Sequence, residues 1–252
     1  MYPRLALIGG EEFADGFEEV HAGLLAGLPN HPQHVVYLPT CAADDGDEAI
    51  EYWCTTARER LSKLGAQVET PRIVDAASAN DMDYARSIAE ADWVYLGGGY
   101  PHVAMRILPG TRTLEALFAA LQRGALISGA SGGAMLMGSH SPIVTAQLAE
   151  AIGQVWEHGA PPDWDPPIPT MIACLGLVPH SSIAPHFDRV SSRKWLNGDL
   201  IPDGFALVGI DEQTALVACD DRLWEVRGRG TVTLIHSDLT TGKYPANARL
   251  RL

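Results

Sequence analysis

The residues that most clearly carry chemistry form a serine-centred turn in the middle of the chain. A short apolar run at 125–127 is followed by Gly-Ala-Ser-Gly-Gly at 129–133 and then by an apolar stretch at 134–137. Strand, sharp turn and helix in this order form a nucleophile elbow, in which flanking glycines let the backbone bend tightly and expose the serine hydroxyl. The pattern predicts that Ser131 is a nucleophile. The alternative is a glycine-rich turn with an incidental serine.

Acyl transfer to a serine also needs donors for the negatively charged oxygen of the tetrahedral intermediate. Two preorganised N–H groups commonly form this oxyanion hole, and the loss of one costs about 2.7–4 kcal/mol. The N–H of Gly132 follows the serine directly, and Gly98 or Gly99 in the triple glycine at 97–99 is predicted to supply the second donor. An ordinary tight turn is the alternative for 97–99, whereas phosphate binding is disfavoured because neither phosphate-binding glycine signature occurs.

The first half of the sequence alternates strand-like and helix-like patterns. Predicted strands lie at 5–8, 34–38, 67–69, 93–96 and 125–127, and predicted helices at 17–28, 50–64, 84–89 and 114–121. Repeated β–α units with apolar strands predict an α/β fold with a doubly wound, mostly parallel sheet covered on both faces. Ligands bind such sheets at the carboxyl ends of strands, where both 97–99 and Ser131 fall.

The second half has a different character. Residues 140–169 are rich in proline, glycine and acidic residues, and predict a long ordered excursion near the site. A helix is expected from Ser192. Four short strands are predicted to close the fold, at 206–210, 214–218, 223–226 and 232–235. The chain has no internal repeat or clear linker, so residues 1–252 are expected to form one α/β domain.

Composition and charge exclude several functional classes. The 252 residues are 46% hydrophobic and 19% charged, as expected for a globular protein with a sizeable core. A net charge of -13 argues against binding to nucleic acid or to an anionic membrane. Four cysteines without C-x-x-C spacing, and the lack of a dinucleotide signature, predict that no metal or organic cofactor is needed. No signal peptide or membrane-spanning pattern is visible, which predicts a cytoplasmic location.

Taken together, the motifs resemble the dipeptidase E and cyanophycinase family of serine peptidases. The resemblance covers nearly the whole chain, and the order and spacing of six segments carry it. These segments are Gly9 and Gly10 after the opening strand, Leu-Gly-Gly-Gly at 96–99, Gly-Ala-Ser-Gly-Gly at 129–133, Leu-Gly-Leu-Val-Pro at 175–179, Pro-His-Phe at 185–187 and Gly-Ile-Asp-Glu-Gln-Thr-Ala-Leu at 209–216. The resemblance implies a class I glutamine amidotransferase-like fold, a flavodoxin-like three-layer sandwich.

The resemblance also implies the partners of Ser131. His186 matches the histidine of the Pro-His-Phe motif, and a histidine can take the serine proton and return it to the leaving amine. A purely packing role for His186 is the alternative. In relatives the triad acid lies between serine and histidine, as Asp in dipeptidase E and Glu in cyanophycinase. Asp163 is favoured here, and three alternatives stay open: Asp165, Glu157 and Glu150.

Substrate recognition is implied less directly. Family members favour aspartyl substrates, and a cation is expected near the pocket, for which Arg189 and Arg193 are the candidates because a guanidinium can bind a carboxylate with two hydrogen bonds. Tyr100 and His102, beside the triple glycine, replace the polar Asn or Gln that is common there, and Gly132 replaces the usual Ala. Tyr100 and His102 are therefore predicted to contact the substrate, and an altered specificity is expected.

Three functions remain to be distinguished. The first is a serine peptidase acting on a small peptide or isopeptide, probed best by a phosphonate label that reacts with Ser131. The second is a serine esterase of the α/β-hydrolase type, although the chain opens with β–α units and not with an antiparallel lead-in. The third is a catalytically silent relative that binds a small molecule in the same cleft. The oligomeric state is not set by the sequence, and a homodimer stays open.

Overall fold

The computed structural model describes residues 3–143, 170–190, 201, 203–220 and 222–252. In chain order the described strands are β1 (Arg4–Ile8), β2 (His34–Leu38), β3 (Gln67–Glu69), β4 (Trp93–Leu96), β5 (Leu126–Ala130), β6 (His140–Pro142), β7 (Met171–Ala173), β8 (Ser181–Ala184), β9 (Ala206–Ile210), β10 (Thr214–Asp220), β11 (Leu223–Gly228), β12 (Thr231–His236), β13 (Thr241–Pro245) and β14 (Arg249–Arg251). The helix expected from Ser192 and most of the excursion at 140–169 lie outside the described residues.

The described helices follow the predicted pattern with two short additions. In chain order they are α1 (Glu18–Ala26), α2 (Asp47–Ser62), α3 (Met82–Glu90), α4 (Pro101–Ile107), α5 (Arg112–Arg123), α6 (Gly132–Met137) and α7 (Phe187–Val190). The additions are α4 and α7. Helix α4 begins at Pro101, because the fixed φ of proline suits the first helical position. Proline also lacks an N–H, and an N–H at this position would have no acceptor within the helix. Local capping sets other boundaries: Asp81 accepts from the N–H groups of Asp83 and Tyr84 at the start of α3.

The larger sheet has a parallel core and one antiparallel edge. Its eight strands lie in the order β14-β11-β10-β1-β5-β4-β2-β3. Strands β1 to β5 pair in parallel, as the β–α alternation predicts. Strands β10, β11 and β14 add the antiparallel edge next to β1. The α/β class and the parallel core predicted from the sequence are therefore confirmed.

A second sheet departs from the single sheet that the sequence predicts. Its six strands lie in the order β13-β12-β9-β8-β6-β7, with both parallel and antiparallel neighbours. Strands β9 and β12 were expected as short strands, but they join this sheet while β10 and β11 join the larger one. Alternation of side chains does not reveal this division, because it reports which residues are buried and not which strands pair.

Apolar side chains pack on both faces of the larger sheet. Successive residues of β1 point in opposite directions, so Leu5 and Leu7 join one core whereas Ala6 and Ile8 join the other. The first core also contains side chains from α3, α4, α5 and the second sheet, and the second core contains side chains from α1 and α2. Helices therefore cover both faces, and the carboxyl ends of the parallel neighbours β1, β5 and β4 lie side by side. Among the described helices, none combines the length and apolar character needed to cross a membrane.

Candidate active site

The predicted elbow is present at the carboxyl end of β5. Strand β5 ends at Ala130, α6 begins at Gly132, and Ser131 between them has φ 50° and ψ -119°. This backbone conformation is costly for a non-glycine residue and is typical of functional sites. The turn is tight against the triple glycine: a Cβ on Gly132 would lie only 2.6 Å from the carbonyl carbon of Gly99. Glycine at 132 therefore lets the two turns touch.

The serine, a histidine and a glutamate form one hydrogen-bonded line. The Oγ atom of Ser131 lies 3.0 Å from Nε2 of His186, and Nδ1 of His186 lies 2.9 Å from Oε1 of Glu212. A carboxylate only accepts hydrogen bonds, so Nδ1 carries the ring proton and Nε2 is left to accept from the serine hydroxyl. The side chains of His186 and Glu212 are only 15% and 13% exposed.

The end of β1 holds this line in place through three successive backbone carbonyls. Ile8 accepts a hydrogen bond from the N–H of Ser131 at 3.0 Å, and Gly9 accepts one from the N–H of His186 at 2.8 Å. Gly10 accepts one from the N–H of Gln213, directly after the glutamate, at 2.9 Å. Gly10 also lies against the imidazole, with φ +136° and no room for a Cβ. The end of β1 and the two glycines after it therefore fix Ser131, His186 and Glu212 relative to one another.

Neighbouring residues hold the glutamate. Nε of Arg189 donates to Oε2 of Glu212 at 2.7 Å, and Oδ1 of Asp188 accepts from the backbone N–H of Glu212 at 2.9 Å. The hydrogen bond to the carboxylate raises the pKa of Arg189 above its usual range. Asp211 has a different task, since its Oδ2 accepts from the N–H of Thr231 and so ties a turn between strands.

The predicted oxyanion donors lie beside the serine. A Cβ on Gly98 would be 3.4 Å from Cβ and 3.9 Å from Oγ of Ser131, so the triple glycine runs past the nucleophile. Within the described ranges, no acceptor takes a hydrogen bond from the N–H groups of Gly98, Gly99 or Gly132. Gly98 and Gly132 therefore bring N–H groups without an acceptor among the described residues next to Ser131.

The predicted substrate-binding residues have separate placements. Tyr100 precedes α4 and donates its N–H to Cys41, and its ring lies 5.7 Å from that of His102. Nδ1 of His102 is buried and has no partner among the described residues. Arg189 contacts the glutamate, as described above, and Arg193 lies outside the described residues.

The sequence favours Asp163 as the acid that pairs with His186. Asp163, Asp165, Glu157 and Glu150 all lie outside the described residues, and the carboxylate on Nδ1 of His186 is that of Glu212. Glu212 lies two residues after β9, the predicted strand at 206–210, and belongs to the Gly-Ile-Asp-Glu segment that carries the family resemblance. That segment is a signal that could have found it, although the segment alone does not distinguish Glu212 from Asp211. Among the described residues, no group of three or more His, Cys, Asp and Glu side chains is placed to hold a metal ion.

A serine, a histidine and a carboxylate in one line, at the carboxyl end of a parallel sheet, are the arrangement of serine hydrolases. The sequence model of peptidase family S51 matches residues 5–226, and the chain therefore belongs to that family. A cyanophycinase from Geminocystis herdmanii (strain PCC 6308) is 25% identical over 178 residues, which cover 69% of this chain but only 61% of that protein.

Two solved structures share the fold. The crystal structure of a peptidase from an acI-B1 Actinobacterium matches with a TM-score of 0.79 and 22% identity, over 100% of this chain and 98% of that one. A putative peptidase E protein from Listeria monocytogenes EGD-e matches with a TM-score of 0.60 and 16% identity, over 90% and 98% of the two chains. At these identities the likeness concerns the fold alone.

Proposed function

We propose that this chain is a serine-type peptidase in which Ser131 is the nucleophile, His186 the general base and Glu212 the acid that orients the base. The line from Oγ of Ser131 through His186 to Glu212 carries this proposal. Glu212 takes the role that the sequence analysis gave to Asp163. Membership of peptidase family S51 supports hydrolysis of a peptide bond.

In the proposed reaction, Oγ of Ser131 attacks the scissile carbonyl carbon while its proton passes to Nε2 of His186. Glu212 keeps the imidazole in the productive tautomer and stabilises the imidazolium that forms. The N–H groups of Gly132 and of Gly98 or Gly99 bind the oxyanion. His186 then gives the proton to the leaving amine, and water, activated by the same histidine, hydrolyses the acyl-serine ester.

The proposed substrate is a small peptide or isopeptide, with an aspartyl residue at the cleaved bond. The resemblance to dipeptidase E and cyanophycinase supports this choice. We also infer that the larger sheet with its two helical layers is the class I glutamine amidotransferase-like sandwich that the resemblance implies. The aspartyl preference has a test of its own, because Tyr100 and His102 stand where relatives carry Asn or Gln.

The proposal is tested with a fluorophosphonate probe, which reacts with an activated serine and needs no knowledge of the substrate. Mass mapping should place the label on Ser131, and Ser131→Ala should abolish it. Ser131→Ala and His186→Ala should each remove nearly all peptide hydrolysis, and the double variant should lose little more, because the two residues act as one unit. Glu212→Gln should lower activity less than either, since it orients the base without reacting.

A substrate panel separates the remaining alternatives. N-terminal Asp-X dipeptides, β-aspartyl-arginine, a neutral dipeptide and a simple ester should be compared for wild type and Ser131→Ala. Cleavage of aspartyl peptides supports the whole proposal, whereas cleavage of neutral peptides alone would remove the aspartyl preference. Cleavage of the ester alone would identify an esterase. A wild-type protein that neither reacts with the probe nor cleaves any substrate would be a silent relative.

A further inference from the structure

The short helix α7, directly after the histidine, makes two hydrogen bonds to the glutamate. Arg189 holds the side chain through Oε2 at 2.7 Å, and Asp188 holds the backbone N–H at 2.9 Å. The histidine takes the other carboxylate oxygen at 2.9 Å. Each oxygen of Glu212 therefore has its own nitrogen partner, and the plane of the carboxylate is fixed by contacts from two directions.

These two hydrogen bonds meet a physical requirement of the triad. A carboxylate that is only 13% exposed must replace the water it has lost, and a single hydrogen bond to the imidazole would leave Oε2 without a partner. It would also leave the carboxylate free to rotate about its last torsion, which is broad for sp²-terminated side chains. The Arg189 contact removes both problems. Its guanidinium is 48% exposed, so solvent screening weakens its charge effect and geometry is its main contribution.

The backbone next to these hydrogen bonds is strained on both sides. His186 and Gln213, which flank the contact region, both have φ 51°, a conformation that is unfavourable for a non-glycine residue. Such conformations persist only where surrounding contacts determine them fully. The hydrogen bonds from α7 to Glu212 join the chain segments that contain these two residues, and they help to hold both backbones in this conformation.

We propose that Arg189 and Asp188 are positioning residues, which hold Glu212 in the orientation that presents Oε1 to His186. This inference rests on the proposed function of the triad. It replaces the expectation that Arg189 binds a substrate carboxylate, because the Nε–H bond of its guanidinium is already directed at the enzyme's own acid. Arg189 then acts on every substrate alike, whatever charge the substrate carries.

The test measures the second-order rate of Ser131 labelling by the fluorophosphonate. Arg189→Ala should lower this rate by about tenfold or more, since loss of orientation affects the step in which the serine is activated. Arg189→Lys, which keeps the charge but lacks the Nε–H donor, should recover only part of the rate. Asp188→Ala should also lower the rate, and Asp188→Asn, which retains an Oδ1 acceptor, should recover most of it. Arg227→Ala is the matched control, because Nε of Arg227 donates to Glu225 at 3.0 Å in a similar ion pair on β11, and the rate should stay at the wild-type value.

Steady-state kinetics separate positioning from substrate binding. Arg189→Ala should lower kcat with little change in KM, by the same factor for acidic and neutral substrates. A rise in KM confined to acidic substrates would show that Arg189 binds the substrate instead. Circular dichroism of each variant checks the fold, and the Arg189→Lys and Asp188→Asn variants keep the test informative where an alanine variant fails to fold. If Arg189→Ala is labelled as fast as the wild type, the positioning role is wrong but the triad stands. If the wild type itself is not labelled, the triad is wrong.

Discussion

Gly10→Ala should disable the catalytic line without dismantling the fold. The imidazole of His186 packs directly on the Cα of Gly10, and an added Cβ would lie 2.6 Å from Nδ1 and 2.8 Å from Nε2, with Cε1 nearer still. Non-bonded heavy atoms stay about 3.5 Å apart, so the ring must move by at least about 1 Å. Such a shift stretches the 3.0 Å contact between His186 and Ser131 to about 4 Å, beyond hydrogen-bonding distance.

The expected loss follows from this displacement. A misplacement of about 1 Å in a catalytic group costs on the order of 10²-fold in rate, which is about 2.7 kcal/mol of transition-state stabilisation. Gly10→Ala should therefore react with the fluorophosphonate roughly a hundred times more slowly than the wild type. The same factor should appear in peptide hydrolysis, mainly in kcat.

A control variant introduces a positive-φ alanine without a clash. Gly110 also has a positive φ, +73°, but a Cβ there meets nothing within 4 Å. Gly110→Ala should cost about 1–2 kcal/mol of folding free energy through its left-handed backbone and leave the labelling rate unchanged. If Gly10→Ala were as reactive as Gly110→Ala in a protein with wild-type circular dichroism, contact between Gly10 and the imidazole would not control catalysis.

Two further predictions concern stability. Burial raises the pKa of Glu12 from 4.5 to about 7, so its contribution to stability is complete below 4.5 and is lost as the pH rises through about 7. Burial lowers the pKa of His21 from 6.5 to about 3, which gives the opposite slope, so the two nearly cancel between pH 4.5 and 6.5. As the pH rises through this window, the unfolding free energy of Glu12→Gln should increase relative to that of the wild type by up to roughly 1.4 kcal/mol per pH unit. Urea unfolding that gives the same difference between variant and wild type at pH 5 and pH 6.5 would contradict the raised pKa. Ser128→Ala should cost about 1–3 kcal/mol in the same assay, because it leaves the buried Nε1–H of Trp93, now 2.7 Å from Oγ of Ser128, without an acceptor; an unchanged unfolding midpoint would refute that role.

The parallel core and the elbow could be predicted from sequence because their signals are local. Strand β5, the turn at Ser131 and helix α6 are consecutive, and their apolar runs and glycines report the backbone directly. The start of α4 had a local signal as well, in Pro101, but the residues around it were interpreted only as substrate contacts.

The second sheet and the role of Glu212 could not be predicted in the same way. Strands β6 and β8 pair at one position only, His140 with Ser182. A hydrophobic pattern along the sequence cannot predict a pairing this short. Glu212 lies 26 residues after the histidine and reaches it because β9 and β10 belong to different sheets that meet near the end of β1. A residue count along the loop between Ser131 and His186, which leads to Asp163, gives no information about contacts between the two sheets.

The three carbonyls at the end of β1 also bear on how this site can evolve. Ser131 and His186 are separated by 55 residues, yet each is attached by its own N–H to adjacent residues of one strand. The spacing between Ser131 and His186 is therefore set by two consecutive residues, the last of β1 and the one after it, and not by the length of chain between them. Insertions and deletions between Ser131 and His186, or between His186 and Glu212, can reshape what the site accepts while the reactive atoms keep their distances.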